Sequence, residues 1–197
     1  MLNFFSIMKQ LIIVSSNPGK LKEYQDKLKD IECIPYQSLY PTLEIEETGD
    51  TFQENALIKA KAVFDQCHLP CVADDSGLIV EALPGELGVH SKRFSKAMTD
   101  EANITLLLEK LKHTQERHAY FHNTICLLSK DAQPQYFEGQ LHGTIIDERR
   151  GQHGFGYDPI FLVDGLNKTL AECTLSEKNQ ISHRSIALEK LLEEVLS

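Results

Sequence analysis

At 197 residues the chain can bury a substantial core as one domain, or as one domain with two lobes, and its 42% apolar and 25% charged residues are ordinary for a globular protein. A net charge of -9 disfavours non-specific attachment to nucleic acid or to an anionic membrane surface, and no apolar run approaches the roughly 20 residues of a membrane span. Five cysteines without a CxxC pair read as reduced thiols of a cytoplasmic protein, and Cys67, His68 and Cys71 lack the second ligand pair of a structural zinc site.

The opening MLNFFSIMKQLIIV is apolar but has neither a basic n-region nor a small-residue cleavage site, so it does not read as a signal peptide. Residues 1–8 read as an N-terminal extension, or as sequence before an alternative start at Met8, and 9–197 as a single domain. Gln10 to Val14 is a buried-strand run, Ser15 to Gly19 a loop, and LKEYQDKLKD a helix with Leu21, Tyr24 and Leu28 on one face. Strand, loop and helix in that order open many nucleotide-binding α/β folds. The acidic stretch Glu44, Glu46, Glu47 and Asp50 precedes a capping box, Thr51 to Glu54, that starts a helix. Phe52, Ala56, Ala60 and Val63 form its buried face, with Asn55 and Lys59 neighbours beside it.

Cys71 to Ala73 then starts a strand that delivers Asp74 and Asp75. Ser76-Gly77 is expected to turn the chain, Leu78 to Leu83 to return as strand, and Pro84 to Gly88 to be loop. Further on come a helix over Thr99 to Leu111, burying Leu107, Leu108 and Leu111, and a strand over Ala119 to Leu128. Tyr136 to Ile146 is a strand or a hairpin interrupted at Gly139 and Gly143, Asp147 to Gly156 a polar loop, and Pro159 to Val163 a strand. Ser182 caps a last helix whose stripe is Leu188, Leu191, Leu192 and Val195. The class is mixed α/β.

Four stretches carry candidate chemistry. SSNPGK brings backbone N–H groups and Lys20 to a helix start, which suits a phosphate. It is not a Walker A loop, since Val14 and Leu21 stand where that motif has glycine and a hydroxyl, and a Pro-Gly turn explains it as well. The acids of LEIEETGD together with Asp74 and Asp75 are the hard oxygen ligands Mg²⁺ prefers, although acids also favour a helix start. In HGFGYDPIFLV, glycines flank Phe155, whose ring suits stacking on a base; a strand entry with Tyr157 packed inside competes. In ISHRSIALEKL, His183 and Arg184 oppose the dipole of the final helix by roughly 0.3–1 kcal/mol, which asks for an anionic or acceptor-rich ligand, or for a salt bridge.

SSNPGK, EETGDTFQENALIKA, ADDSGL, GFGYDPIF and ISHR occur in the order and approximate spacing of the inosine triphosphate pyrophosphatase family, which the chain resembles from about Lys9 to Leu196. The resemblance implies hydrolysis of the purine nucleoside triphosphates ITP, dITP or XTP to monophosphate and pyrophosphate with Mg²⁺. It also implies an elongated mixed β-sheet flanked by helices, two lobes with the active-site cleft between them, and a homodimer. By position, Ser15, Ser16, Asn17, Pro18, Gly19 and Lys20 correspond to the substrate loop, and Lys59 to a lysine facing the triphosphate. Glu46 and Asp75 match the metal-binding acids, Asp75 also the proton acceptor, and Ser76, Phe155, Gly156, Tyr157, Asp158, Lys178, His183 and Arg184 the substrate contacts.

On this view Asp75 takes a proton from water attacking the α-phosphorus, Asp74 orients the metal shell or binds a second ion, and Lys20 and Lys59 stabilise the leaving pyrophosphate. Arg184 or main-chain N–H groups read the 6-oxo acceptor of the base. Leu87 and Lys92 depart from the Pro-Gly-x-x-Ser-Ala-Arg pattern frequent after the hairpin in the family, and Ser15 replaces a common threonine. Two alternatives stand beside this: a pyrophosphatase with another base preference, such as a modified pyrimidine, and a nucleotide-binding regulator without turnover.

Overall fold

In QLIIV every residue after the first is apolar, and the stretch forms β1 (Gln10–Val14), a strand covered on both faces. It pairs in parallel with β2 (Glu32–Pro35) and with β3 (Cys71–Val80). With β4 (His118–Leu128), β5 (Gln135–Ile145) and β6 (Phe161–Val163) these form one six-stranded sheet of order β2-β1-β3-β4-β5-β6, in which β5 and β6 are antiparallel. The helices are α1 (Pro18–Lys27), α2 (Tyr36–Leu39), α3 (Phe52–Cys67), α4 (Asp100–Lys110), α5 (Leu175–Ile181) and α6 (His183–Leu196). The mixed sheet flanked by helices is the α/β class expected from the sequence.

The computed structural model describes residues 9–131 and 133–196. The extension expected over 1–8 and the side chain of Val195 lie outside the described residues. No helix among the described residues is long and apolar enough to cross a membrane.

The chain divides into two compact units. The first consists of the chain up to Asp75, Asn123–Gly139 and the chain from Arg184 onward. Its part of the sheet is buried on both sides, as the alternation within β1 requires. Leu11, Ile13 and Val72 pack with Tyr24 and Leu28 of the α1 region and with Ala187, Leu188 and Leu191 of α6. Ile12, Val14, Cys71 and Ala73 pack with Tyr36 of α2 and with Ala56, Ala60, Val63 and Phe64 of α3. The second unit is Ser76–His122 with Gln140–His183, and its core joins Leu78, Val80, Phe121, Ile145 and Phe161 to Ile104 and Leu107 of α4.

Both expected helix starts form. Asn17 caps α1 by accepting from the N–H groups of Gly19 and Lys20, and the Thr51–Glu54 box caps α3 reciprocally.

The expected turn at Ser76-Gly77 does not exist, because β3 runs unbroken from Cys71 to Val80. Gly77 is there for close packing rather than for a turn. A Cβ on it would stand 2.1 Å from the Gly88 carbonyl oxygen and 2.8 Å from Ser91 Oγ. Of the strand and hairpin readings for Tyr136 to Ile146 the strand holds: β5 runs unbroken through Gly139 and Gly143, and a Cβ on Gly143 would meet Leu162 O at 2.4 Å and Phe161 Cζ at 2.6 Å. Asp158–Ile160 is a 3-10 turn, which leaves only Phe161–Val163 as strand. Ser182 ends α5, its N–H donating to Lys178 O, directly before α6 begins at His183.

Candidate active site

An unbroken β3 explains how two adjacent aspartates coexist. Successive side chains on a strand point to opposite faces. Asp74 has the parity of Val72 and faces α1 and α6; Asp75 has the parity of Ala73 and faces α3. Each carboxylate is therefore served by a different set of donors. Val14 pairs with Ala73, so both acids lie just beyond the carboxyl end of β1, beside the loop that starts α1. With β1 flanked by β2 and β3 in parallel, this is where open α/β sheets place ligands.

On the α1/α6 side, Asp74 Oδ2 accepts from Lys20 Nζ at 2.8 Å and from Arg184 Nε at 3.1 Å. Arg184 Nη1 also pairs with Glu23 of α1, and both side chains are buried. Asp74 Oδ1 is buried without a hydrogen-bond donor. Burial alone raises the Asp74 carboxyl, but the charges of Lys20, Arg184 and Lys59 outweigh it and hold the group well below the usual carboxylate range. Burial lowers Lys20 against the opposing pull of Asp74. Arg184 is raised, since its two carboxylates overcome its own burial.

On the α3 side, Asn55 Nδ2 donates to Asp75 Oδ2 at 3.1 Å, and Lys59 Nζ lies 3.6 Å from Asp75 Oδ1. Lys59 also pairs with Glu47 at 3.2 Å. Asn55 ties the acidic segment to this strand, because its Oδ1 accepts from Gly49 N–H at 2.8 Å and its Nδ2 reaches Gly49 O at 3.2 Å. Burial raises the Asp75 carboxyl above its ordinary value, only partly opposed by Lys59 and Lys20. The neighbours thus shift in opposite directions: Asp74 is a committed anion, and Asp75 the more basic carboxylate.

The second unit holds a different group. The Phe155 N–H donates to Asp158 Oδ2 at 3.0 Å, and the Gly156 N–H to Asp100 Oδ2 at 2.7 Å. Lys178 Nζ donates to the same Asp158 oxygen at 2.7 Å and lies 4.6 Å from the centroid of the Phe155 ring. Phe155 stays 37% exposed. Gly154, at φ +80, has no room for a Cβ, which would fall 2.0 Å from Asp158 Oδ2. Tyr157 is packed in the core with its hydroxyl donating to Ser91 O at 2.8 Å, and buried His183 stacks on Phe121 with centroids 5.0 Å apart.

The sequence candidates therefore fall into two sets. Lys20, Lys59, Asp74, Asp75 and Arg184 meet in the first unit, while Phe155, Asp158 and Lys178 meet in the second. Tyr157 is a packing residue, as the competing account of that stretch had it. Arg184, offered beside main-chain N–H groups as a donor to the base, with a salt bridge as the alternative, has its guanidinium buried in ion pairs with Asp74 and Glu23. Glu46 is exposed, whereas Glu47 is the acid on Lys59.

In the loop SSNPGK, Asn17 Oδ1 takes the Gly19 and Lys20 amides at 2.8 and 3.4 Å, and Ser15 Oγ accepts from the Asn17 N–H at 3.2 Å. Leu87 joins the apolar core of the second unit and Lys92 is exposed, so the first departure is absorbed by packing and the second by solvent. Sequence reasoning missed Glu23 and Asp100. Glu23 has no local signal for its role, since its partner Arg184 is 161 residues away in the chain. Asp100 has none, since an acid in a first helical turn is expected anyway.

A model of the Ham1 family matches residues 11–194. A dITP/XTP pyrophosphatase of Staphylococcus aureus (strain MW2) is 42% identical over 185 residues, covering 93% of this chain and 95% of that one. A dITP/XTP pyrophosphatase of Bacillus subtilis (strain 168) is 43% identical over 192 residues, covering 94% and 96%. The solved structure of a HAM1 protein from Coxiella burnetii superposes with a TM-score of 0.88 at 43% identity, over 96% of this chain and 99% of that one. With the family match spanning nearly the whole chain, and the fold matching at that level, this chain belongs to the Ham1 family.

Proposed function

We propose that the chain is a house-cleaning nucleoside triphosphate diphosphatase that hydrolyses ITP, dITP and XTP to the monophosphate and pyrophosphate. The observation that carries the chemistry is the buried Asp75 carboxylate, raised by burial and held in place by Asn55 and Lys59. A positioned carboxylate of raised pKa suits proton abstraction from a water attacking the α-phosphorus. Lys20 and Lys59 offset the charge that develops on the departing pyrophosphate. Arg184, braced by Glu23, keeps Asp74 ionised and oriented. In the second unit Phe155 offers the face on which a purine stacks, and main-chain N–H groups meet its 6-oxo acceptor. Residues 9–197 act as one pyrophosphatase domain.

The residues present fit Mg²⁺. Asp74 retains a buried oxygen without a donor, and Asp75 and Glu46 supply further hard oxygens. Among the described residues no three or more of His, Cys, Asp and Glu form a ready-made cage. Mg²⁺ commonly keeps several waters and is held through one or two carboxylates and the substrate's own phosphates. When bound, Mg²⁺ would neutralise phosphate charge and polarise the phosphoryl oxygens. The free thiols of Cys33, Cys67, Cys71, Cys126 and Cys173 accord with a cytoplasmic location. A homodimer is the assembly the resemblance implies, and light scattering on the purified protein measures it.

The test is turnover of ITP with Mg²⁺ in ¹⁸O-labelled water, with ATP and GTP alongside. IMP carrying the label, with unlabelled pyrophosphate and the common nucleotides largely spared, is the expected result. Label in pyrophosphate would move the attack to the β-phosphorus, and IDP with phosphate would overturn the mechanism.

A further inference from the structure

The loop that presents Phe155 is held from both sides of that residue by carboxylates on different elements. Asp158 accepts the Phe155 N–H within the loop, and Asp100, from the first turn of α4, accepts the next N–H, that of Gly156. Gly156 sits at φ +62, a conformation that L side chains rarely adopt, directly after the second anchored amide. Asp158 is itself fixed by Lys178, whose ammonium underlies the Phe155 ring. Asp100 is thus the carboxylate anchor that comes from α4, outside the loop.

We infer that Asp100 is a positioning residue for nucleoside binding: its carboxylate fixes the Gly156 amide and thereby presents the Phe155 ring. The inference rests on the reading of Phe155 as the surface that takes the base. Asp100 belongs to the second unit with Phe155, whereas Asp74 and Asp75 belong to the first, so its effect is expected in binding rather than in the chemical step. A charged acceptor on a backbone amide is among the stronger hydrogen bonds, and holding a recognition group in its bound geometry lowers the entropy lost on binding.

Asp100 also sits where a helix dipole favours an acid, so the test must separate the two roles. Asp100→Asn keeps an oxygen acceptor but loses the charge, whereas Asp100→Ala loses both. The residue is exposed, and each variant is expected to fold. Hydrogen exchange of peptides covering 152–158 reads the anchor without any nucleotide. ITP kinetics reads its consequence. The expected result is faster exchange and a KM about tenfold higher in Asp100→Ala, with kcat nearly unchanged, and recovery of most of both in Asp100→Asn. Unchanged exchange in Asp100→Ala would overturn the anchor itself. Faster exchange with an unchanged KM would overturn the link to substrate, and would show that the Phe155 loop does not take the nucleoside. Equal losses in both variants would reduce Asp100 to a helix-start charge.

Discussion

Asp74 and Asp75 share a strand and a chemical type, yet their surroundings shift their carboxyls in opposite directions. Asp74 has a depressed folded-state pKa, so its stabilising contribution is present above the ordinary carboxylate value of about 3.9 and is lost as pH falls through its folded pKa. Asp75 has a raised one. Folding therefore favours its protonated form, and its ionisation opposes stability as pH rises from about 3.9 through the raised value. Neutralising each should then act differently at neutral pH. Asp74→Asn removes the anion that Lys20 and Arg184 share and breaks the buried pair of Asp74 with Arg184, a loss of about 3–5 kcal/mol. Asp75→Asn should change stability by less than about 1 kcal/mol, or raise it, while lowering kcat by about 10²–10⁴. Chemical denaturation and single-turnover assays on the two variants check the pair. Equal destabilisation would mean that the environments do not differ as described.

At the scale of elements, the informative residue is Gly77. Were it a turn glycine, alanine would be penalised through a positive φ, which Gly77 does not have. In a continuous β3 the added methyl collides with the Gly88 backbone, and backbone cannot swing aside as a flexible side chain can. Gly77→Ala should cost at least about 1–3 kcal/mol, seen as a lowered denaturation midpoint with an unchanged slope. This is also where the sequence was least legible. β1, the Thr51 capping box and the buried faces of α1 and α3 follow from periodicity and capping, which are local signals. A glycine inside an apolar run reports either a turn or the close approach of distant backbone, and only the partner, here Gly88 or Leu162, tells which. The short β2 and α2 carried too little pattern to be read, and α5 was overlooked although Thr174 to Glu177 spells its capping box. In the site, the residue types were legible but the pairing was not. Nothing in ISHR indicates that Arg184 turns to Asp74 and Glu23, since those partners are 110 and 161 residues away in the chain.

At the scale of the whole molecule, the division between units passes between Asp75 and Ser76 and again between His183 and Arg184, through two of the motifs. The proposal assigns the phosphates and metal to first-unit residues, Lys20, Lys59, Asp74 and Asp75, and the nucleoside to second-unit residues around Phe155. The two contributions should therefore separate in a binding experiment that involves no turnover. In an Asp75→Asn background, inorganic triphosphate with Mg²⁺ carries the phosphate part alone, and ITP with Mg²⁺ carries both. A ligand at 100 times its dissociation constant stabilises by about 2.7 kcal/mol, which thermal denaturation resolves. ITP should give the larger shift at equal concentration. Phe155→Ala should reduce the ITP shift to that of triphosphate and leave the triphosphate shift intact, because a buried or stacked aromatic contributes only to the nucleoside part. Loss of both shifts together would mean that Phe155 acts through folding, and an unaltered ITP shift would remove Phe155 from the nucleoside's contacts.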